Sequence, residues 1–234
     1  MADGGREEVL LLTGFGPFGP YRRNPAEEIL ARILGGSEVG GPVPGVEGLL
    51  LPVSHDRGPE LLRKRMRRGG ISAVVQMGLA PERGTVCLEE VALNLLDFPI
   101  PDEDGRRLRD QPIVPGGPLA YASTLPLRSL QKAILDEGIP CVLSRSAGTY
   151  LCNQIFYLAL HEARNFTSPP PVGFVHLPPA SESAAEAIAE GRAASASLPL
   201  AFSERAVRRA IALLLQHGAG LCHTSGCPAP AAGV

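Results

Sequence analysis

Short runs of apolar residues, each too short for a helix and most of them followed by a stretch with helical spacing, constrain this chain more than any other feature. Val9-Leu-Leu-Leu-Thr13, residues 46–53, residues 71–77, Ile139-Pro-Cys-Val-Leu143 and Val172-Gly-Phe-Val-His176 are mostly continuous rather than alternating. That is the pattern of strands buried on both faces. Between them, residues 25–34, 56–68, 127–137 and 152–163 repeat apolar side chains at helical intervals, with Asn24-Pro25 supplying a cap and a first-turn proline. Alternation of strand and helix predicts the α/β class: a three-layer α/β/α sandwich around a mixed, mostly parallel central sheet.

The size fits one domain. With 44% hydrophobic residues in 234, the chain can bury a single substantial core. The expected organisation is a flexible start over residues 1–8, one domain over 9–217 and a disordered tail over 218–234. Net charge is −2 and the basic residues are scattered, so no footprint for nucleic acid is expected. The one basic cluster, Arg63-Lys-Arg-Met-Arg-Arg68, falls where a helix ends and reads as a solvated terminus. No long apolar run follows the charged start, so neither a signal peptide nor a membrane span is expected, and the chain reads as cytoplasmic. Five cysteines show no paired spacing in the core and are expected as free thiols. Cys222, His223 and Cys227 have zinc-ligand chemistry but no fourth ligand nearby, so no metal is expected.

Punctuation separates the rest. Gly14-Phe-Gly-Pro-Phe-Gly-Pro20 cannot be helix, and it presents Phe15 and Phe18 at the end of a central strand, where open α/β sheets bind ligands. It is not a dinucleotide loop, because prolines interrupt the glycine pattern. Residues 85–96 read as extended structure broken at Glu89-Glu90. Prolines 99, 101 and 112–118 then forbid regular structure over a long stretch of the kind that is usually functional. Residues 180–201 read as loop or marginal helix, and Ser203 as the cap of a last amphipathic helix.

Within Ser144-Arg-Ser-Ala-Gly-Thr-Tyr-Leu-Cys152 a strand stops, small residues turn and a helix starts. A thiol at a helix start meets unpaired N–H groups and the positive end of the dipole, which favour thiolate. The same Cys152 would equally suit packing under a sheet, and His176, at a strand end, would suit a core histidine bonded to a carbonyl. Taken together, a cysteine, a histidine and an acid have the chemistry of a cysteine hydrolase. Either Glu89 or Glu90 can supply the acid on these grounds.

The order of further motifs carries a resemblance. Thr13-Gly-Phe-Gly-Pro-Phe-Gly19, Gly78-Leu-Ala-Pro with Arg83, Leu88-Glu-Glu-Val-Ala-Leu-Asn94, Ile100-Pro-Asp102, Ser146-Ala-Gly-Thr-Tyr-Leu-Cys-Asn153 and Gly173-Phe-Val-His-Leu-Pro178 resemble the pyroglutamyl-peptidase I family of cysteine peptidases, from about residue 9 to 217. The resemblance implies removal of N-terminal pyroglutamate from peptides, with no metal or organic cofactor. It places the catalytic triad on Cys152, His176 and Glu89, and substrate-binding positions on Phe15, Phe18, Ile100, Tyr150 and Leu151. The chain departs from the family pattern at Pro99, where many members carry an arginine thought to hold the oxyanion, at Arg145 and at Glu82. A rival reading follows from those departures: a catalytically weak homologue that binds peptides or a partner protein. Assembly state is not legible.

Overall fold

The computed structural model describes residues 8–193 and 195–218. The expected flexible start (residues 1–7), the tail from 219 and the Cys222–His223–Cys227 group lie outside the described residues. In chain order the elements are β1 (Val9–Phe15), α1 (Pro25–Gly35), β2 (Val46–Leu51), α2 (Arg57–Met66), β3 (Ile71–Leu79), β4 (Val86–Glu89) and β5 (Val91–Leu93). There follow β6 (Ala120–Ala122), α3 (Leu127–Leu135), β7 (Cys141–Ser144), α4 (Leu151–Ala163), β8 (Val172–Leu177), α5 (Ser181–Ala189) and α6 (Leu200–Gly218).

Six of the strands form one sheet in the order β2-β1-β3-β8-β4-β7, and β5 pairs with β6 separately. Strands β2, β1, β3 and β8 are parallel, β4 runs antiparallel to β8, and β7 is parallel to β4. The sheet is therefore mixed and mostly parallel. One face buries Leu10, Leu12, Val75 and Val175 under α1, α3 and α6, while the other buries Leu11, Val74 and Phe174 under α2 and α4. This is the three-layer arrangement that the continuous apolar runs imply, since each strand needs cover on both faces.

Local chemistry sets the boundaries near the site. Asn24 caps α1 by accepting from the Ala26 N–H at 3.0 Å, and its amide donates to the Gly16 carbonyl at 2.8 Å. One buried side chain thus ties the Gly-Pro loop to the helix that follows it. A Cβ at Gly14 would sit 2.8 Å from the Ala26 carbonyl oxygen, so only glycine lets the strand end approach the helix start. At the other end of the chain, α6 starts at Leu200 and Ser203 lies inside it, fully buried, with no partner for its hydroxyl among the described residues. Ser203 is not the cap because Pro199 ends the preceding extended segment, and its carbonyl accepts from the Phe202 N–H at 2.9 Å. Among the described residues no helix is long and apolar enough to cross a membrane.

Candidate active site

The strand order brings the singled-out residues to one place. In the parallel pair β3–β8, Gly78 lies opposite His176, and in the antiparallel pair β4–β8, Cys87 lies opposite His176. Glu89 is two residues beyond Cys87 and so shares its face, diagonal to His176. Its carboxylate Oε1 accepts from His176 Nδ1 at 2.7 Å, in a setting where Glu89 is fully buried and His176 nearly so. Glu90, the next residue, turns outward and pairs with the exposed Arg145 at 3.3 Å. Strand β4 ends at Glu89 and β5 begins at Val91, so the break between the two strands separates the two acids.

Cys152 is the second residue of α4, whose first turn follows the Ser146-Ala-Gly-Thr segment. Gly148 there has φ +79°, a left-handed turn conformation, and its N–H donates to Ser146 Oγ at 3.2 Å. Asn153 fixes the helix start from below: its amide donates to the Leu93 and Leu95 carbonyls and its oxygen accepts from the Leu93 N–H. The sulfur packs over β3, where a Cβ at Gly78 would come within 2.7 Å of Sγ. Gly78 thus leaves the room that the thiol occupies beside the strand carrying His176.

Burial pushes the Cys152 thiol up to about 12, and the Glu89 charge adds to it; the residue's own backbone N–H and Arg83 pull the other way. The helix start alone was expected to favour thiolate. Desolvation wins because the sulfur sits in an apolar packing environment, against Gly78 and near Phe174.

Two connected spaces open at Cys152. The inner one is a small apolar slot of about 20 Å³ lined by Phe15, Phe18, Val53, Leu79, Tyr150 and Leu151, with Asn24 and Cys152 as its polar members. Phe18 and Tyr150 lie with ring centroids 6.4 Å apart, and Phe98 supports Tyr150 edge-on at 4.8 Å. The outer one is an open cleft of about 520 Å³ that reaches His176, Arg83, Glu82 and Pro99. Of the five expected substrate-binding residues, Phe15, Phe18, Tyr150 and Leu151 line the slot. Ile100 lies in the outer cleft, not the slot.

Arg83 braces the site, a role that its place beside the Gly78-Leu-Ala-Pro motif does not reveal. Its Nη1 donates to Glu89 Oε1 at 2.7 Å and to Ser144 Oγ at 3.0 Å, and its Nη2 donates to the Ser146 carbonyl at 3.1 Å. One guanidinium therefore joins the buried acid to the turn that carries Cys152. No spacing signal marks this, since Ser144 and Ser146 are some sixty positions away from it in the chain.

Residues 8–217 match the family described as pyroglutamyl peptidase. The pyrrolidone-carboxylate peptidase of Pyrococcus furiosus is 40% identical over 183 residues, 78% of this chain and 86% of that one. That of Deinococcus radiodurans is 41% identical over 201 residues, 86% and 91% of the respective chains. A crystal structure of pyrrolidone carboxyl peptidase from P. furiosus superposes with TM-score 0.81 at 34% identity, covering 90% of this chain and 99% of that one.

Proposed function

This chain belongs to the pyroglutamyl peptidase family and is a cysteine peptidase of N-terminal pyroglutamyl peptides, and we propose the residue roles by which it acts. Cys152 is the nucleophile, His176 the general base and then acid, and Glu89 the carboxylate that orients the imidazole. The observation that carries this assignment is the 2.7 Å Glu89–His176 contact, whose imidazole lines the same cleft as the Cys152 thiol.

The chemistry follows from the protonation pattern. His176 donates Nδ1–H to Glu89, which leaves Nε2 as the free acceptor. Because burial holds Cys152 as the thiol, the proton moves to Nε2 as Sγ attacks the pyroglutamyl carbonyl carbon, rather than beforehand. The carbonyl π electrons become an oxyanion facing the start of α4, whose free backbone N–H groups favour negative charge. Collapse breaks the amide C–N bond, and the departing amine takes the proton from Nε2. A thioester to Cys152 remains. Water then attacks it, giving its proton to His176, and release of pyroglutamate restores the thiol.

Substrate choice belongs to the slot. A pyroglutamyl ring is flat and uncharged, and Phe15, Phe18, Tyr150 and Leu151 offer apolar and aromatic faces with no charged side chain among them. A volume of about 20 Å³ holds little more than one water-sized guest. Entry of the ring therefore requires the half-buried Phe18 and Tyr150 side chains to part. Ile100 covers the outer side of the bound peptide. Family membership supports this peptidase reading over a role limited to binding peptides or a partner.

The test is to quench a reaction with a pyroglutamyl ester within its first turnover and to map the acyl adduct by mass spectrometry. The adduct is expected on Cys152 and absent from Cys87 and Cys141; an adduct elsewhere, or none while product forms, overturns the assignment.

A further inference from the structure

Glu82 and Arg83 leave the same turn in opposite directions. The Arg83 N–H donates to the Ala80 carbonyl at 3.1 Å, closing a four-residue turn with Pro81 and Glu82 at its centre, and the Ala80 N–H anchors the turn to the Leu177 carbonyl at 2.8 Å. Arg83 points inward and its guanidinium is engaged by Glu89, Ser144 and Ser146. Glu82 is exposed and lines the outer cleft. It makes no hydrogen bond or ion pair with any described residue.

Position in the cleft gives this carboxylate a meaning that rests on the proposed activity. An enzyme that removes one N-terminal residue has a single residue on the acyl side of Cys152, which the slot takes. Everything beyond the scissile bond lies in the outer cleft, on the side of His176, which protonates the leaving amine. Of the charged groups lining that part, Arg83 is paired with Glu89, which leaves Glu82 as the one lining carboxylate, and the Asp102 and Glu103 charges that act on Tyr150 add to its negative sign. The Glu82 charge reaches across the mouth: after burial, it is the second cause that raises the Tyr21 hydroxyl above its ordinary value.

We propose that Glu82 is a specificity-determining residue that selects peptides with a lysine or arginine in the first two positions after pyroglutamate. A carboxylate without a partner attracts a cationic side chain and repels an acidic one, so the preference has both an attractive and a repulsive arm. Since Glu82 is exposed, the pair is worth only what surface ion pairs are worth, about a two- to fivefold difference in kcat/KM.

The experiment compares pyroglutamyl tripeptide amides carrying Lys, Gln or Glu at the first or second leaving-group position, as kcat/KM with the full-length protein and with Glu82→Gln. The same peptides are titrated into Cys152→Ala, with and without Glu82→Gln, as binding constants. The expected result is a Lys-to-Gln ratio of about two to five, a Glu-to-Gln ratio below one, and both ratios close to one in Glu82→Gln. In about 0.5 M NaCl, where the screening length is shorter than the pair's reach, the ratios also shrink. Ratios near one in the unmutated protein, or ratios that persist in Glu82→Gln, overturn the proposal. Failure to hydrolyse any of the peptides would instead remove the peptidase reading, while the binding ratios in Cys152→Ala would still decide the charge preference.

Discussion

Glu89 and Glu90 are adjacent in sequence and have opposite environments, and the difference decides their chemistry. Glu89 is fully buried and accepts from both His176 and Arg83 on Oε1, with Oε2 unpartnered among the described residues. Glu90 is partly exposed and faces Arg145, itself almost wholly in solvent. Glu89→Gln is expected to lower turnover by up to about 10⁴, the cost of the corresponding carboxylate-to-amide change in a serine triad. Glu90→Gln should change it less than about threefold, as for a surface pair. Steady-state rates of the two variants on one substrate check this, and the reverse order would contradict the strand register. Cys152 gives a pH dependence. With the thiol pushed up to about 12 by burial, only a small thiolate fraction exists near neutrality, and that fraction rises about tenfold per pH unit. Iodoacetamide modification of Cys152, followed by mass spectrometry, is expected to accelerate in that way from pH 6 to about pH 9, with Cys87 and Cys141 protected by burial. A plateau below pH 8 would mean that the helix start and His176 already hold a thiolate.

At the scale of elements, the long proline-rich connection from Pro99 to Pro118 becomes a built wall of the cleft. Asp102 folds its first part by accepting from the His55, Asp104 and Arg106 N–H groups at 2.9, 3.0 and 2.8 Å. Arg107 holds the Pro99 carbonyl at 2.8 Å, and the Tyr150 hydroxyl donates to the Pro101 carbonyl at 3.1 Å. Pro99 thus faces the cleft on an anchored loop but offers neither a cation nor an N–H. Loss of one oxyanion donor typically costs about 10²–10³ in turnover. The family resemblance places an oxyanion-holding arginine at this position, so Pro99→Arg is expected to raise kcat on a pyroglutamyl amide by about tenfold or more, up to that scale, with thermal unfolding used to show that the loop is intact. An intact variant with unchanged kcat would show that another donor already serves the oxyanion. The conformation of the loop is not legible from sequence. Prolines announce that residues 99–118 are irregular, but the bonds that tie the loop to the rest of the site, from the His55 N–H to Asp102 and from the Tyr150 hydroxyl to the Pro101 carbonyl, join positions 47 and 49 apart in the chain and leave no local pattern. Ser203 failed for a related reason: a serine before an apolar helix looks like a cap, and only the Pro199 boundary shows that the helix has already begun.

On the scale of the whole molecule, the apolar runs made the layers legible, because a strand buried on both faces cannot alternate. They did not make strand direction legible. The reversal of β4 and β7 against the other four strands is a matter of which edges meet, and it is this reversal that runs Glu89 back alongside His176. The motif order located Cys152, His176 and Glu89 as positions; the distances among them, the unassigned bracing by Arg83 and the separation of slot from outer cleft exist only once the sheet has assembled. The same assembly builds the slot, which is walled by β1, β3 and the first turn of α4 together with Phe18, Asn24 and Val53 from the connecting segments. We propose that this assembled site hydrolyses pyroglutamyl amides through Cys152. The most direct test is release of a fluorophore from a pyroglutamyl amide by the purified protein, beside Cys152→Ala and beside the corresponding glutaminyl amide. Steady release is expected from the pyroglutamyl amide alone and should be abolished in Cys152→Ala; equal release by the variant, or none by the unmutated protein, would overturn the role of Cys152.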